Sequence, residues 1–162
     1  MKIAIIGATG PTGRSFVNQA VEAGHTVVAL ARTPEKLADL AGRAEVRRAD
    51  ARDRASLVAG LQGDIDVVVN IVGASGLLEA RAVVDLYSVA ASNLTSALKQ
   101  AGIARIVSVS SGGVAPQPND GWFYTHVLKR FFLEPMYADM RRMEAVLAAS
   151  GLRSTVVRPP YL

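Results

Sequence analysis

Cysteine is absent from all 162 residues, which removes disulfides, thiolate metal sites and cysteine nucleophiles together. Histidine is nearly as scarce, and with only His25 and His126 a histidine-rich metal centre is not expected. Long apolar runs are missing too. The apolar residues come in short runs broken by charge or glycine, well below the roughly 20 that a membrane-spanning helix needs, so no membrane partner is expected. The N-terminus runs Met1-Lys2-Ile3-Ala4-Ile5-Ile6 straight into a glycine turn, without the longer apolar stretch and cleavage site of a secretory signal, and this points to a cytoplasmic location. The net charge is +4, but the arginines are scattered rather than gathered with aromatics into a stripe, which argues against a nucleic-acid partner. A basic balance also suits an anionic small molecule.

Half of the residues are apolar, enough for one domain with a sizeable core. Runs suited to buried parallel strands recur at Ile3 to Ile6, Thr26 to Leu30, Val67 to Val72, Ile106 to Val109 and Thr155 to Val157, with a weaker one at Glu45 to Arg48. Helical spacing fills the intervals at Arg14 to Ala23, Glu35 to Leu40, Ala55 to Leu61, Glu79 to Gln100 and Asp139 to Ala149. Strict alternation of strand and helix predicts an α/β fold: a single doubly wound, Rossmann-type parallel sheet with helices on both faces. Glycines at 24, 102 and 151 fall where helices should end, and Thr33-Pro34-Glu35 reads as N-cap, first-turn proline and first-turn acid. Gly112 to Gly121 is the longest stretch that reads as loop.

The first strand-to-helix connection is Gly7-Ala8-Thr9-Gly10-Pro11-Thr12-Gly13. Its three glycines answer three needs: a tight turn, close approach of backbone to phosphate, and close helix packing. The helix that follows aims its free amides and positive dipole end at the ligand, so a pyrophosphate can be held there without a lysine. Pro11 removes one donor from the cradle while suiting the first helical position, which leaves the amides of Gly10, Thr12 and Gly13 and the Thr12 hydroxyl as expected phosphate contacts. Arg32 ends the second strand about 20 residues beyond the turn, where the adenosine ribose of a dinucleotide lies. A carboxylate there selects NAD; an arginine with Thr33 beside it instead suits a 2′-phosphate, so NADP(H) is expected in preference to NAD(H). A solvated arginine at a strand end is the alternative.

These pieces, together with Asp50, Val72-Gly73, Asp85-Leu86-Tyr87-Ser88, Val107-Ser108-Val109-Ser110-Ser111, Ser150-Gly151-Leu152 and Val157-Arg158-Pro159-Pro160, resemble the atypical short-chain dehydrogenases of the NAD(P)H-binding, NmrA-like group. That group includes flavin and biliverdin-IXβ reductases, and the likeness runs over nearly the whole chain. It implies that Asp50 lies beside the adenine and that Val72 and Gly73 line the ribose and phosphate path, although Asp50 equally suits a helix cap and Gly73 a strand end. The cofactor set is therefore Gly7, Thr9, Gly10, Pro11, Thr12, Gly13, Arg32, Thr33, Asp50, Val72, Gly73 and Ser110. In that group further chain follows the position of Leu162 and helps close the substrate side, so residues 1–162 are expected to be the dinucleotide-binding domain, either without that segment or unusually short.

Ser111 is the catalytic candidate of the serine pair after the fifth strand, because a hydroxyl there can stabilise charge that develops on an accepting group; satisfying strand-end backbone is its other use. The Tyr-x-x-x-Lys pair of the wider superfamily is absent. Tyr124 is followed at that spacing by Leu128, with Lys129 one place too far, and Tyr137 is followed by Arg141, which cannot exchange a proton at ordinary pH. Tyr137 is the second catalytic candidate, with packing as its alternative. The missing pair weakens a case for ketone reduction and favours transfer of hydride to a planar acceptor such as a flavin or quinone. Trp122-Phe123-Tyr124 and Phe131-Phe132 suit the walls of such a pocket, or a core or subunit interface. Two other activities fit the same residues: a non-catalytic NADP(H)-sensing module of the NmrA type, and a sugar-nucleotide epimerase or dehydratase.

Overall fold

The computed structural model describes residues 1–74, 85–115 and 133–160. Strands β1 (Lys2–Ile6), β2 (Thr26–Ala31), β3 (Glu45–Arg48), β4 (Val67–Asn70), β5 (Arg105–Val109) and β6 (Arg153–Val157) form one sheet in the order β3-β2-β1-β4-β5-β6. Every neighbouring pair is parallel. Helices α1 (Pro11–Glu22), α2 (Arg54–Gly60), α3 (Leu86–Ala101) and α4 (Glu134–Ala149) cover it, with 3-10 segments at Pro34–Leu40 and Gly112–Val114. This is the doubly wound Rossmann-type fold that the alternation predicts.

The central strands are buried on both faces, which is why they read as unbroken apolar runs. Ala4, Ile6, Val28, Leu30 and Val68 point to a core filled by α2, α3 and α4. Their neighbours Ile3, Ile5, Val27, Ala29, Val67 and Val69 pack on the other side with Val17 and Ala20 of α1 and Leu37 and Leu40 of the 3-10 segment. In α3 the buried Tyr87, Ala90, Ala91, Leu94, Ala97 and Leu98 recur at three- and four-residue steps, the stripe of a helix packed on one side. Gly102 then ends it at φ 72°, a conformation suited to a residue without Cβ.

Several boundaries differ from expectation. β4 stops at Asn70 rather than Val72, because the Asn70 side chain turns back to accept the Val72 amide at 3.2 Å. Its own amide donates to Ser108 at 2.7 Å in β5, so the buried pair fixes where the strand ends. Glu35 to Leu40 is helical but of the tighter 3-10 kind, interrupted at Leu37, and the Thr33 side chain does not cap it. Helix α3 begins at Leu86, and the part of the expected Glu79 to Gln100 helix that precedes Asp85 falls outside the described residues. Trp122, Phe123, Tyr124, Leu128, Lys129, Phe131 and Phe132 also lie outside them. Among the described residues no helix is long and apolar enough to cross a membrane.

The start of α3 is held in an unexpected way. Asp85 occupies the N-cap position, yet its side chain makes no cap bond. Asp139 of α4, wholly buried, takes that role: its carboxylate accepts from the Tyr87 amide at 2.7 Å and from the Ser88 amide and hydroxyl.

Candidate functional site

The sheet order reverses between β1 and β4, and a groove of about 750 Å³ opens there at the carboxyl ends of the strands, the usual ligand position in such folds. It is lined by Gly7, Thr9, Gly10, Pro11, Thr12, Gly13, Arg32, Asp50, Val72 and Gly73, so ten of the expected cofactor residues meet in one place. Thr33, Ser110, Ser111 and Tyr137 are not among its walls.

The three glycines of the turn have different reasons for being glycine. Gly7 has φ +89°, and a Cβ on it would stand 2.4 Å from the Ile71 carbonyl oxygen. A Cβ on Gly13 would stand 2.2 Å from the Gly7 carbonyl oxygen. Both positions are therefore set by the fold. Gly10 has an ordinary extended backbone at φ −75° and ψ 162°, and a Cβ there would meet only the Gly7 oxygen at 3.7 Å. Among the described residues no packing contact demands glycine at 10; what its lack of a side chain provides is open space beside the amino end of α1. That is the form of a cradle for a ligand group brought close to backbone.

The donors of the cradle differ from those the turn suggests. The Gly10 amide donates within the turn to the Gly7 carbonyl at 3.2 Å, and the first bond of α1 runs from Arg14 N to Gly10 O at 2.9 Å. Pro11 has no N–H, so the orphan amides at this helix start belong to Thr12 and Gly13. Gly10 thus contributes space, not a hydrogen bond. The far wall is also pinned: Ile71 N donates to Ile6 O at 2.9 Å, Val72 N to Asn70, and Ala74 N to the Tyr87 hydroxyl at 3.3 Å.

Asp50 does not cap α2. Asp53 does, accepting from Ala55 N at 2.9 Å and Ser56 N at 3.2 Å, while Asp50 accepts from Arg52 N at 2.9 Å in a turn on the groove wall. At the same end the cations divide into two sets. Arg14 pairs with Asp39 at 2.7 Å, Arg48 with Glu35 at 3.2 Å and Arg52 with Asp85 at 2.7 Å. Among the described residues Arg32 and Lys36, both on the groove wall, form no ion pair. Lys36 is not singled out by the sequence motifs.

The serine pair separates. Ser110, buried, donates to the Glu144 carboxylate at 2.6 Å, which commits its proton inside the protein. Ser111 accepts from the Gly113 amide at 3.3 Å, so the strand-end role is present, and among the described residues its own proton has no acceptor. The two are held in place by Ser110 N donating to Val157 O and Gly112 N to Pro159 O, each at 2.8 Å. Tyr137 is 1% exposed and lies in the core, its ring so close to Gly113 that a Cβ there would stand 2.4 Å from the phenol oxygen. The packing reading of Tyr137 has this footing.

Glu144 also receives the guanidinium of Arg158, Nε at 2.9 Å, and this partner more than the Ser110 hydroxyl holds its carboxyl below the usual glutamate range against the opposing effect of burial. A depressed carboxyl stabilises the fold fully above the unfolded-state pKa and loses that contribution as pH falls through the lowered folded-state value. Glu144→Gln is accordingly expected to lower stability at neutral pH and to narrow its gap to wild type in acid, measured by urea unfolding across pH. A gap that stays constant with pH would contradict the assignment.

The sheet, the switch-point groove and the glycine cradle define a Rossmann-type nucleotide-binding protein. A family model described as NAD(P)H-binding matches residues 7–162, and the chain belongs to that family. An uncharacterized sugar epimerase of Bacillus subtilis is 29% identical over 163 residues, covering 98% of this chain and 71% of the relative. A nucleoside-diphosphate-sugar epimerase of Staphylococcus aureus shares 27% identity and a TM-score of 0.73, covering 98% of this chain and 50% of that one. An NADPH-dependent quinone oxidoreductase of Escherichia coli, solved with NADPH, shares 27% identity and a TM-score of 0.70, covering 96% and 48%. The chain spans about half the length of those two solved structures.

Proposed function

We propose that the protein is an NADPH-dependent oxidoreductase that passes hydride to a flavin, a quinone or a similar planar acceptor. Arg32 and Lys36, two groove-lining cations that form no ion pair among the described residues, carry the choice of NADPH, since a 2′-phosphate is the anion a dinucleotide brings beside the end of the second strand. The orphan amides of Thr12 and Gly13 then face the pyrophosphate, and Asp50, Val72 and Gly73 border the adenosine and the path onward. Bound NADPH supplies the hydride. Ser111 offers its free proton as a hydrogen bond to the accepting group, while Ser110 keeps that strand end fixed through Glu144.

The acceptor class follows from what stands beside the reacting centre. A ketone needs a proton delivered with the hydride, whereas a conjugated ring accepts hydride and collects its proton from water. The chain lacks the Tyr-x-x-x-Lys pair that delivers such a proton, and Tyr137 is followed at that spacing by Arg141. The likeness to the Escherichia coli quinone oxidoreductase supports this reading. A nucleotide-sugar epimerase is the second reading, favoured by the names of two relatives and opposed by the same missing pair.

Steady-state turnover with NADPH and with NADH against a benzoquinone, a naphthoquinone and FMN tests the proposal. NADPH oxidation with at least one acceptor is expected, at a higher kcat/KM than NADH. Arg32→Ala is expected to lower kcat/KM for NADPH about tenfold or more while changing that for NADH little, the loss of a charge-assisted pair. Tight NADPH binding without turnover on the whole panel would favour the sensing module, conversion of a nucleotide sugar the epimerase; equal losses for the two cofactors in Arg32→Ala would remove the 2′-phosphate assignment.

A further inference from the structure

Among the described residues, Arg52 is the one cation on the groove wall that reaches across to a distant acidic side chain. Its Nη2 donates to Asp85 Oδ1 at 2.7 Å, joining the turn after β3 to the residue that precedes α3, 33 positions away. Both side chains are about half exposed, so the pair has little value for stability by itself. The neighbouring interactions make it more than a chance surface contact. Asp85 stands where an aspartate ordinarily caps a helix, and it is released from that task because the buried Asp139 performs it. The backbone of Arg52 is separately fixed by its amide bond to Asp50. An arginine held at both its backbone and its head therefore stands on a groove wall that Asp50 and Leu86 also line.

We propose that Arg52, held by Asp85, forms a planar strap over the adenine of the bound dinucleotide and sets how tightly the adenosine half is held. This rests on the cofactor site proposed above. A guanidinium whose head is tethered at its edge still presents a flat face, and such a face stacks on a base with the favourable electrostatics of a cation over a π system. The partly buried Leu86 supplies an apolar surface on the same side of the groove. Asp85 keeps the strap in position before the ligand arrives, so less rotamer freedom is lost on binding.

The test is titration of NADPH and of 2′,5′-ADP, which carries the adenosine and both phosphates but no nicotinamide, into wild type, Arg52→Ala, Arg52→Lys and Asp85→Asn. Arg52→Ala is expected to weaken both ligands about tenfold with an unchanged thermal midpoint. Arg52→Lys keeps the charge and loses the plane, and is expected to follow the alanine variant. Asp85→Asn is expected to weaken both about threefold through the loosened strap. Wild-type affinity in Arg52→Lys would overturn the stacking and leave only attraction of phosphate charge; wild-type affinity in Arg52→Ala would overturn the strap altogether. If wild type bound neither ligand, the cofactor site itself would fail and this proposal with it, a result distinct from the other two.

Discussion

Gly10→Val is expected to abolish NADPH binding, with Kd raised at least about a hundredfold, while the protein unfolds close to the wild-type temperature. The two halves of that result have separate causes. Residue 10 has an extended backbone that any L-residue adopts, and an added Cβ meets only the Gly7 oxygen at ordinary contact distance, so the fold has no reason to object. The branched side chain instead fills the space beside the Thr12 and Gly13 amides, from which an anion reaches those donors. Losing a hundredfold corresponds to about 2.7 kcal/mol, a modest figure for excluding a pyrophosphate from a helix start. Gly13→Val, which looks equivalent in the sequence, is a poor test: its Cβ would sit 2.2 Å from the Gly7 carbonyl oxygen, and loss of binding would report a damaged turn. Calorimetric titration beside thermal unfolding of Gly10→Val separates the outcomes, and near-native NADPH affinity would show that the dinucleotide does not use the cradle.

The features that the sequence displays are those created by local periodicity and by single-residue backbone demands. Ile3 to Ile6 and Val67 to Val69 are buried on both faces and so read as apolar runs, and the turn from Gly7 to Gly13 carries its glycines wherever the chain is met. Arg32 is legible because its distance from the turn fixes its place in the groove. What stays hidden are partnerships between distant residues. Nothing in the run Ser108-Val109-Ser110-Ser111 reveals that Ser110 is committed to Glu144, 34 positions on, and Ser108 to Asn70, 38 positions back. The Gly10 amide is illegible for a different reason: the turn spacing announces a phosphate cradle, but whether a given amide points outward or closes the turn depends on φ and ψ, which the letters do not encode. Asp50 and Asp53 are alike in type and three positions apart, and only the actual start of α2 at Arg54 decides which of them caps it.

Asp139→Ala is expected to be the most destabilising single polar substitution among the described residues, costing about 2–4 kcal/mol in unfolding free energy. Two losses combine. The buried Tyr87 amide loses the acceptor that caps α3, worth roughly 1–3 kcal/mol rather than the about 1 kcal/mol of an ordinary exposed cap, and the Ser88 hydroxyl loses its bond to the same carboxylate, worth about a further 1 kcal/mol. Arg142, about half exposed, is not stranded by the change, so no buried unpaired cation adds to the cost. Asp139→Asn should recover part of the loss, since one amide oxygen can still accept from Tyr87 N. Asp85→Ala is the control: an aspartate at the formal N-cap whose side chain caps nothing should cost under about 0.5 kcal/mol, the range of ordinary surface changes. The order Asp139→Ala, Asp139→Asn, Asp85→Ala in urea midpoints follows only if a carboxylate from α4, and not the one preceding α3, holds that helix start. Because Tyr87 also supports the Ala74 amide on the groove wall, a loosened α3 start should weaken NADPH binding in Asp139→Ala as well, and an unaltered affinity would separate the cap from the site.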